Sequence, residues 1–195
     1  MEKDFFDNME YRNIPPKQGR LLISEPFIFD PHFKRTVILL VEHNANGSVG
    51  FILNRPINIK VNEIVEDFPT FDAEVFLGGP VNQNNLFFFH TMGEAIEGSS
   101  EIIPGLFLGG NFSQVKELII TGKMQPHDIR FFAGYSGWEK NQLKKELKEK
   151  SWIVTKATLE QALYGRTKEF WHETLKKMGS KFAIMSNFPE DPTMN

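Results

Sequence analysis

The sequence predicts an α+β fold built on a mostly antiparallel sheet, and three observations carry that prediction. Short β-branched and aromatic runs crowd the first half of the chain, an Asn-Gly pair joins two of them, and amphipathic stretches gather in the second half. The regular alternation of strand and helix that a parallel βαβ array needs is missing.

Taken in order, strands are expected at 21–24, 36–43, 49–54, 74–77, 85–91, 106–108, 129–135 and 152–155, each a run suited to a pleated, half-buried surface. Between the second and third lies His43-Asn44-Ala45-Asn46-Gly47-Ser48, whose Asn-Gly is a strong hairpin signal. Asn111 can cap a helix over 112–121, with Gly122 just past its end. A helix over 138–150 sets Leu143 and Leu147 one turn apart. A third, over 166–178, gathers Phe170, Trp171, Leu175 and Met178 on one side and stops at Gly179. A single helical turn fits 62–66. Residues 1–18 read as a polar arm ending after Pro15-Pro16, 19–185 as one domain and 186–195 as a tail.

Composition narrows the function classes. At 195 residues, 41% hydrophobic and 24% charged, the chain can bury one substantial core, and its 19 phenylalanines favour a thick one. There is no cysteine, which removes disulfides, thiolate zinc sites and a thiol nucleophile. The acidic, polar start lacks the features of a signal peptide, and the longest aliphatic run, 37–41, is far short of a membrane span, so a cytoplasmic location is expected. A net charge of −3 forces no basic face and counts against nucleic acid. The five histidines, at 32, 43, 90, 127 and 172, show no metal-ligand spacing, so no metal or cofactor is expected.

The hairpin organises the polar candidates. A loop over 44–47 sets 43 against 48 and 36 against 55, whereas a two-residue turn at Asn46-Gly47 sets 38 against 55. Either register sends Arg55 to the far end of the ladder, near Arg35 and the Asp30-Pro31 turn, and leaves Glu42 and His43 roughly 20 Å away at the turn end. Arg35, Asn54 and Arg55 therefore form a candidate anion-binding corner, since guanidinium groups clamp carboxylate or phosphate bidentately. The alternative is a structural network in which Asp30 neutralises them. Glu42 and His43 suggest acid–base chemistry, yet strand neighbours point to opposite faces and cannot chelate one ion. A hydrogen-bonded turn residue is the simpler role for His43, and a satisfied, half-buried one for His90.

Gly134-Tyr135-Ser136-Gly137-Trp138 resembles a nucleophile elbow until its last position, where tryptophan replaces the glycine that lets the helix pack beneath the serine. A tight strand-to-helix turn anchored by Trp138 is expected there, with Tyr135 free to face a pocket. Gly78-Gly79-Pro80 suits a sharp turn. Gly109-Gly110-Asn111 suits a turn and helix cap, with no Lys-Ser or Lys-Thr to make a phosphate loop. The lysines at 140–150 are interleaved with Glu139, Glu146 and Glu149 and read as a solvated helical face.

In order along the chain, several motifs together resemble the AlgH/YqgE family of bacterial proteins. They are Gly19-Arg20-Leu21-Leu22-Ile23, Asp30-Pro31 with Phe33, Arg35 and Thr36, Glu42-His43-Asn44, Asn54-Arg55-Pro56, Gly78-Gly79-Pro80-Val81, and the Gly134–Trp138 run followed by Gln142-Leu143, Glu146-Leu147 and Trp152. The resemblance covers roughly 19–185. It implies a sheet folded into a pseudo-barrel with helices packed on it, largely in the C-terminal half, a cytoplasmic bacterial protein, and a transcriptional-regulator label without an established reaction. The expectation is a non-enzymatic small-anion-binding or regulatory protein acting through a ligand or protein partner. One alternative is an enzyme using Glu42, His43 or Tyr135 in a strand-end pocket, and another is direct nucleic-acid binding.

Overall fold

The computed structural model describes residues 14–189, so positions 1–13 of the expected arm and 190–195 of the expected tail lie outside the described residues. Ten strands share one sheet: β1 (Arg20–Ser24), β2 (Val37–Asn44), β3 (Gly47–Ile52), β4 (Pro56–Lys60), β5 (Glu74–Leu77), β6 (Val81–His90), β7 (Ser100–Ile103), β8 (Leu106–Leu108), β9 (Ile129–Glu139) and β10 (Trp152–Lys156). Their order is β10-β1-β2-β3-β9-β6-β8-β7, with β5 pairing β9 and β4 pairing β5 off this path. Only the β5–β9 pair is parallel. The mostly antiparallel sheet expected from the sequence is therefore what forms.

The sheet curls without closing. Among the described residues no ladder joins β7 to β10. The Gln18 side chain, just ahead of β1, reaches β7 and donates to the carbonyls of Glu101 and Ile102 at 2.9 and 3.3 Å. The spine is β9, whose residues Ile129 to Tyr135 pair with β6 on one edge, while the other edge takes β5 and then β3.

Strand alternation sends successive side chains into different cores. Phe89 packs in the first cluster with Phe51, Phe132 and Trp171, Phe88 packs in the second with Phe131 and Val115, and Phe87 lies against the first again. The Phe-rich run is thus core on both faces. Six short helices among the described residues complete the layers: α1 (Val61–Ile64), α2 (Phe112–Ile120), α3 (Gln142–Lys148), α4 (Leu159–Tyr164), α5 (Phe170–Lys177) and α6 (Ser180–Ser186). The last three bury Leu163, Trp171, Leu175 and Met185 in the first cluster, and the Trp171 indole donates to the Ser24 carbonyl at 2.9 Å. Helix α3 covers a third cluster holding Trp138 and Trp152, whose indoles both donate to Glu146 Oε2, at 2.8 and 2.7 Å.

Two local expectations are corrected. Strand β9 continues through Gly134–Trp138 to Glu139, because Tyr135 pairs with Val81 of β6 and 136–139 ladder with β3, so no strand-to-helix turn stands there and α3 starts only at Gln142. Trp138 is nonetheless the buried anchor expected. A second expectation, that Pro56 ends the strand before it, is met only in that β3 stops at Ile52, since Pro56 itself opens β4, at the edge where its missing N–H costs no ladder bond.

His90 is satisfied and more deeply buried than expected. Its Nδ1 accepts from the Met92 amide at 3.2 Å, which leaves Nε2–H to donate to the Gly109 carbonyl at 3.0 Å. Burial pushes its pKa down, opposed by that carbonyl bond. Below the unfolded value of about 6.5, the unfolded chain takes a proton that the native ring refuses, so stability falls as pH drops through that window. Urea melts between pH 7 and 5 should show wild type losing more stability than His90→Gln. A difference between the two that stays flat with pH contradicts this.

Candidate functional site

The hairpin has a two-residue loop, Ala45-Asn46, with Asn44 Oδ1 accepting from the Asn46 amide at 2.7 Å. His43 faces Ser48, but a bulge at Val41 shifts the register so that Leu39 faces Phe51. Continuing that register past the last ladder pair sets position 35 opposite position 55. The arginine corner follows from this shift.

Asn54 builds the corner. It is 3% exposed, its Oδ1 accepts from the Val37 amide at 3.0 Å, and its Nδ2 donates to the Arg35 carbonyl at 2.8 Å. Arg35 holds a left-handed backbone, φ 50°. Its guanidinium donates to the Phe188 carbonyl at 2.6 Å and lies 5.2 Å from the centre of the Trp171 ring. Arg55 Nη2 donates to the carbonyls of Lys34 and Pro31, at 2.9 and 3.4 Å. Burial lowers its pKa while Asp30 opposes that from a distance. Asp30 itself is taken up by His32, accepting from its amide at 2.8 Å and meeting its Nδ1 at 3.0 Å. Among the described residues no carboxylate pairs directly with Arg55.

These groups line a cleft of about 600 Å³ between the strand ends, with Lys34, Arg35, Asn54, Arg55 and Pro56 on one wall and Lys168 and Glu169 on the other. Among the described residues, the lining thus carries the side chains of Lys34, Arg35, Arg55, Lys168 and Glu169. Arg130, which does not line the cleft, is 1% exposed and sandwiched over Phe76 and Phe132 at 4.2 and 5.3 Å. Its guanidinium donates to the Leu53 carbonyl behind one wall, and to the carbonyls of Ala162 (2.7 Å) and Gly165 (3.2 Å) leading to the other. Burial first, and Arg166 second, push its pKa well below the arginine range.

Glu42 and His43 belong elsewhere. Glu42 accepts from Asn44 Nδ2 at 2.5 Å, and His43 Nδ1 meets Ser48 Oγ at 2.7 Å, which is the hydrogen-bonded turn residue expected. His43 lines a second cleft of about 540 Å³ with Ser48, Glu139 and Lys144, and the two clefts share no lining residue. Tyr135 lines neither and packs edge-on against Phe87 at 5.7 Å. Ser136 is fully buried and donates to the Gly78 carbonyl at 3.1 Å, so it is no nucleophile. The structure therefore brings Arg35, Asn54 and Arg55 together, keeps Asp30 alongside them, and leaves Glu42, His43 and Tyr135 apart.

Sequence reasoning missed Lys34, Lys168 and Arg130. The first adjoins Arg35 and could have been included. Arg130 had a signal as a lone cation in the otherwise apolar run 129–133. Lys168 had none, because only the chain's return through α4 and α5 brings it to the cleft.

An open, mostly antiparallel α+β sheet carrying a cation-lined cleft at its strand ends defines the class. The model of the AlgH-like family matches residues 21–183, and the chain belongs to that family. It is 41% identical over 196 residues to a UPF0301 protein of Bacteroides thetaiotaomicron, covering 100% of this chain and 99% of that one. It is 42% identical over 179 residues to another from Chlorobaculum parvum, covering 92% and 96%. Among solved structures, protein DIP2367 from Corynebacterium diphtheriae superposes with a TM-score of 0.76 at 22% identity, covering 94% of this chain and 97% of that one. The solution structure of the AlgH protein from Pseudomonas aeruginosa gives 0.71 at 25% identity, covering 90% and 97%. No described helix is long and apolar enough to cross a membrane.

Proposed function

We propose that the protein is a non-enzymatic, anion-binding regulator of the bacterial cytoplasm, and that the anion sits in the Arg35–Arg55 cleft. The observation that carries this is Arg55, a partly buried guanidinium bound to two carbonyls and, among the described residues, to no carboxylate, on a cleft that Lys34 and Lys168 also line. A charge held that way keeps donors for a ligand, and an anion there gains from the positive field of the lysines. The ligand-bound form then acts on a protein partner.

Thermal melts against a panel of small anions test this. An anion at 100 times its Kd stabilises by about 2.7 kcal/mol, about 5–10 °C for a domain of this size. Arg55→Ala and the exposed Lys168→Gln should each lose most of that shift. Shifts equal to wild type in both variants rule out the cleft as the site.

A further inference from the structure

The Arg130 guanidinium joins two segments of chain that lead to opposite walls of the anion cleft. Its Nη2 donates to the carbonyl of Leu53, the residue before Asn54 and Arg55, and to that of Gly165 at 3.2 Å. Its Nη1 donates to the Ala162 carbonyl at 2.7 Å. Ala162 lies in α4 and Gly165 caps it, so both carbonyls fall where a helix end leaves acceptors without intrahelical partners. Leu53 stands just past the end of β3. One side chain thus ties a strand end to a helix end, and its stacking over Phe76 and Phe132 leaves it little room to move.

The second wall hangs from that tie. Lys168 and Glu169 line the cleft shortly after Gly165, and beyond them the Trp171 indole donates to the Ser24 carbonyl at 2.9 Å. Arg130 and Trp171 therefore hold the segment 166–170 from its two ends. A buried cation costs desolvation free energy, and the Arg130 Nε is buried with no hydrogen-bond partner among the described residues. Packing alone favours an apolar side chain at this position, so what the charge adds is the three carbonyl bonds. Resting on the anion-binding role above, we infer that Arg130 is the positioning residue of the cleft. It sets the separation between the Asn54–Arg55 wall and the Lys168 wall, and it carries occupancy of the cleft to α4. An anion held by Arg55 and Lys168 draws on both walls, and the Arg130 bonds pass that constraint to 159–165, no residue of which lines the cleft.

Calorimetric titration of the full chain with inorganic phosphate, paired with amide hydrogen exchange at saturating phosphate, tests this. In the wild type, phosphate should slow exchange at 159–165 as well as at 34–35 and 54–55. Arg130→Met should weaken phosphate binding about tenfold, the low end for groups that orient the ligands of a metal. It should also abolish the slowing at 159–165 and keep it at 54–55. Gly165→Ala disturbs the tie from its other end without touching the cleft lining, since an added Cβ falls 2.4 Å from the Phe170 ring and 2.6 Å from the Gln161 carbonyl oxygen. The same two changes are expected of it. Gly98→Ala, which lies outside both the tie and the lining, should leave both readouts at wild-type values.

Wild-type affinity in a folded Arg130→Met or Gly165→Ala variant overturns the inference, as does slowing at 159–165 that survives either substitution. So does an equal loss in Gly98→Ala, which assigns the effect to overall stability. If both tie variants fail to fold, wild-type exchange decides the matter, slowing at 159–165 sustaining the tie and its absence overturning it. Arg55→Ala separates this inference from the reading it rests on. Unchanged phosphate affinity in that variant removes the cleft and the role of Arg130 together, whereas affinity lost there and kept in Arg130→Met removes the role of Arg130 alone.

Discussion

Replacing Arg130 with alanine is expected to lower the unfolding free energy by about 3–5 kcal/mol, the largest single loss of any polar substitution considered. Two effects combine. The side chain is 1% exposed between Phe76 and Phe132, so truncation opens a void in packed core. The carbonyls of Leu53, Ala162 and Gly165 also lose their donor at once. A buried charge without a carboxylate costs desolvation energy, and its lowered pKa reports that cost. Arg130→Met separates the terms, since it refills volume and supplies no donor. Urea melts should place it between wild type and Arg130→Ala. Methionine equal to or better than wild type means that the three carbonyls do not need the guanidinium.

Gly79→Ala is expected to cost about 2–4 kcal/mol. The glycine holds φ +157°, a region open to almost no other residue, and an added Cβ falls 2.3 Å from the Tyr135 carbonyl carbon and oxygen. Those atoms belong to β9, the spine of the sheet, and cannot yield as a flexible side chain does. Gly98→Ala isolates the backbone term: its φ is +75° with nothing within 4 Å of the new methyl, so about 1–2 kcal/mol is expected. Thermal or urea melts compare the two. Equal losses contradict a steric role for the turn.

The fold's legibility varied with how local its causes are. Strands β5 and β8 stood at their expected bounds because Gly, Pro and acidic residues punctuate short apolar runs. Asn111 capped α2 as its side chain dictates, accepting from Ser113 and Gln114. Helix α4 escaped notice although Thr158 and Gln161 form a capping box, a spacing visible in the sequence. The extension of β9 was hidden, because a Gly-Tyr-Ser-Gly-Trp run becomes strand only through its tertiary ladder with β3.

The candidate site divides the same way. The corner formed by Arg35, Asn54 and Arg55 was legible from hairpin geometry alone, although the bulge at Val41 was not. Lys168 and Glu169 reach the cleft through a return of more than 100 residues, which no local pattern encodes. Asp30 looked like the neutralising partner, but a histidine two residues on competes for its carboxylate.

The most direct test of the anion cleft is an NMR titration of the ¹⁵N-labelled chain with inorganic phosphate at pH 7.5. Saturable amide shifts should gather at 34–36, 54–55 and 167–169, with the Arg55 side-chain Nε–H among the largest. Shifts gathered instead around His43, Ser48 and Lys144, or no saturable shift at any residue, contradict it.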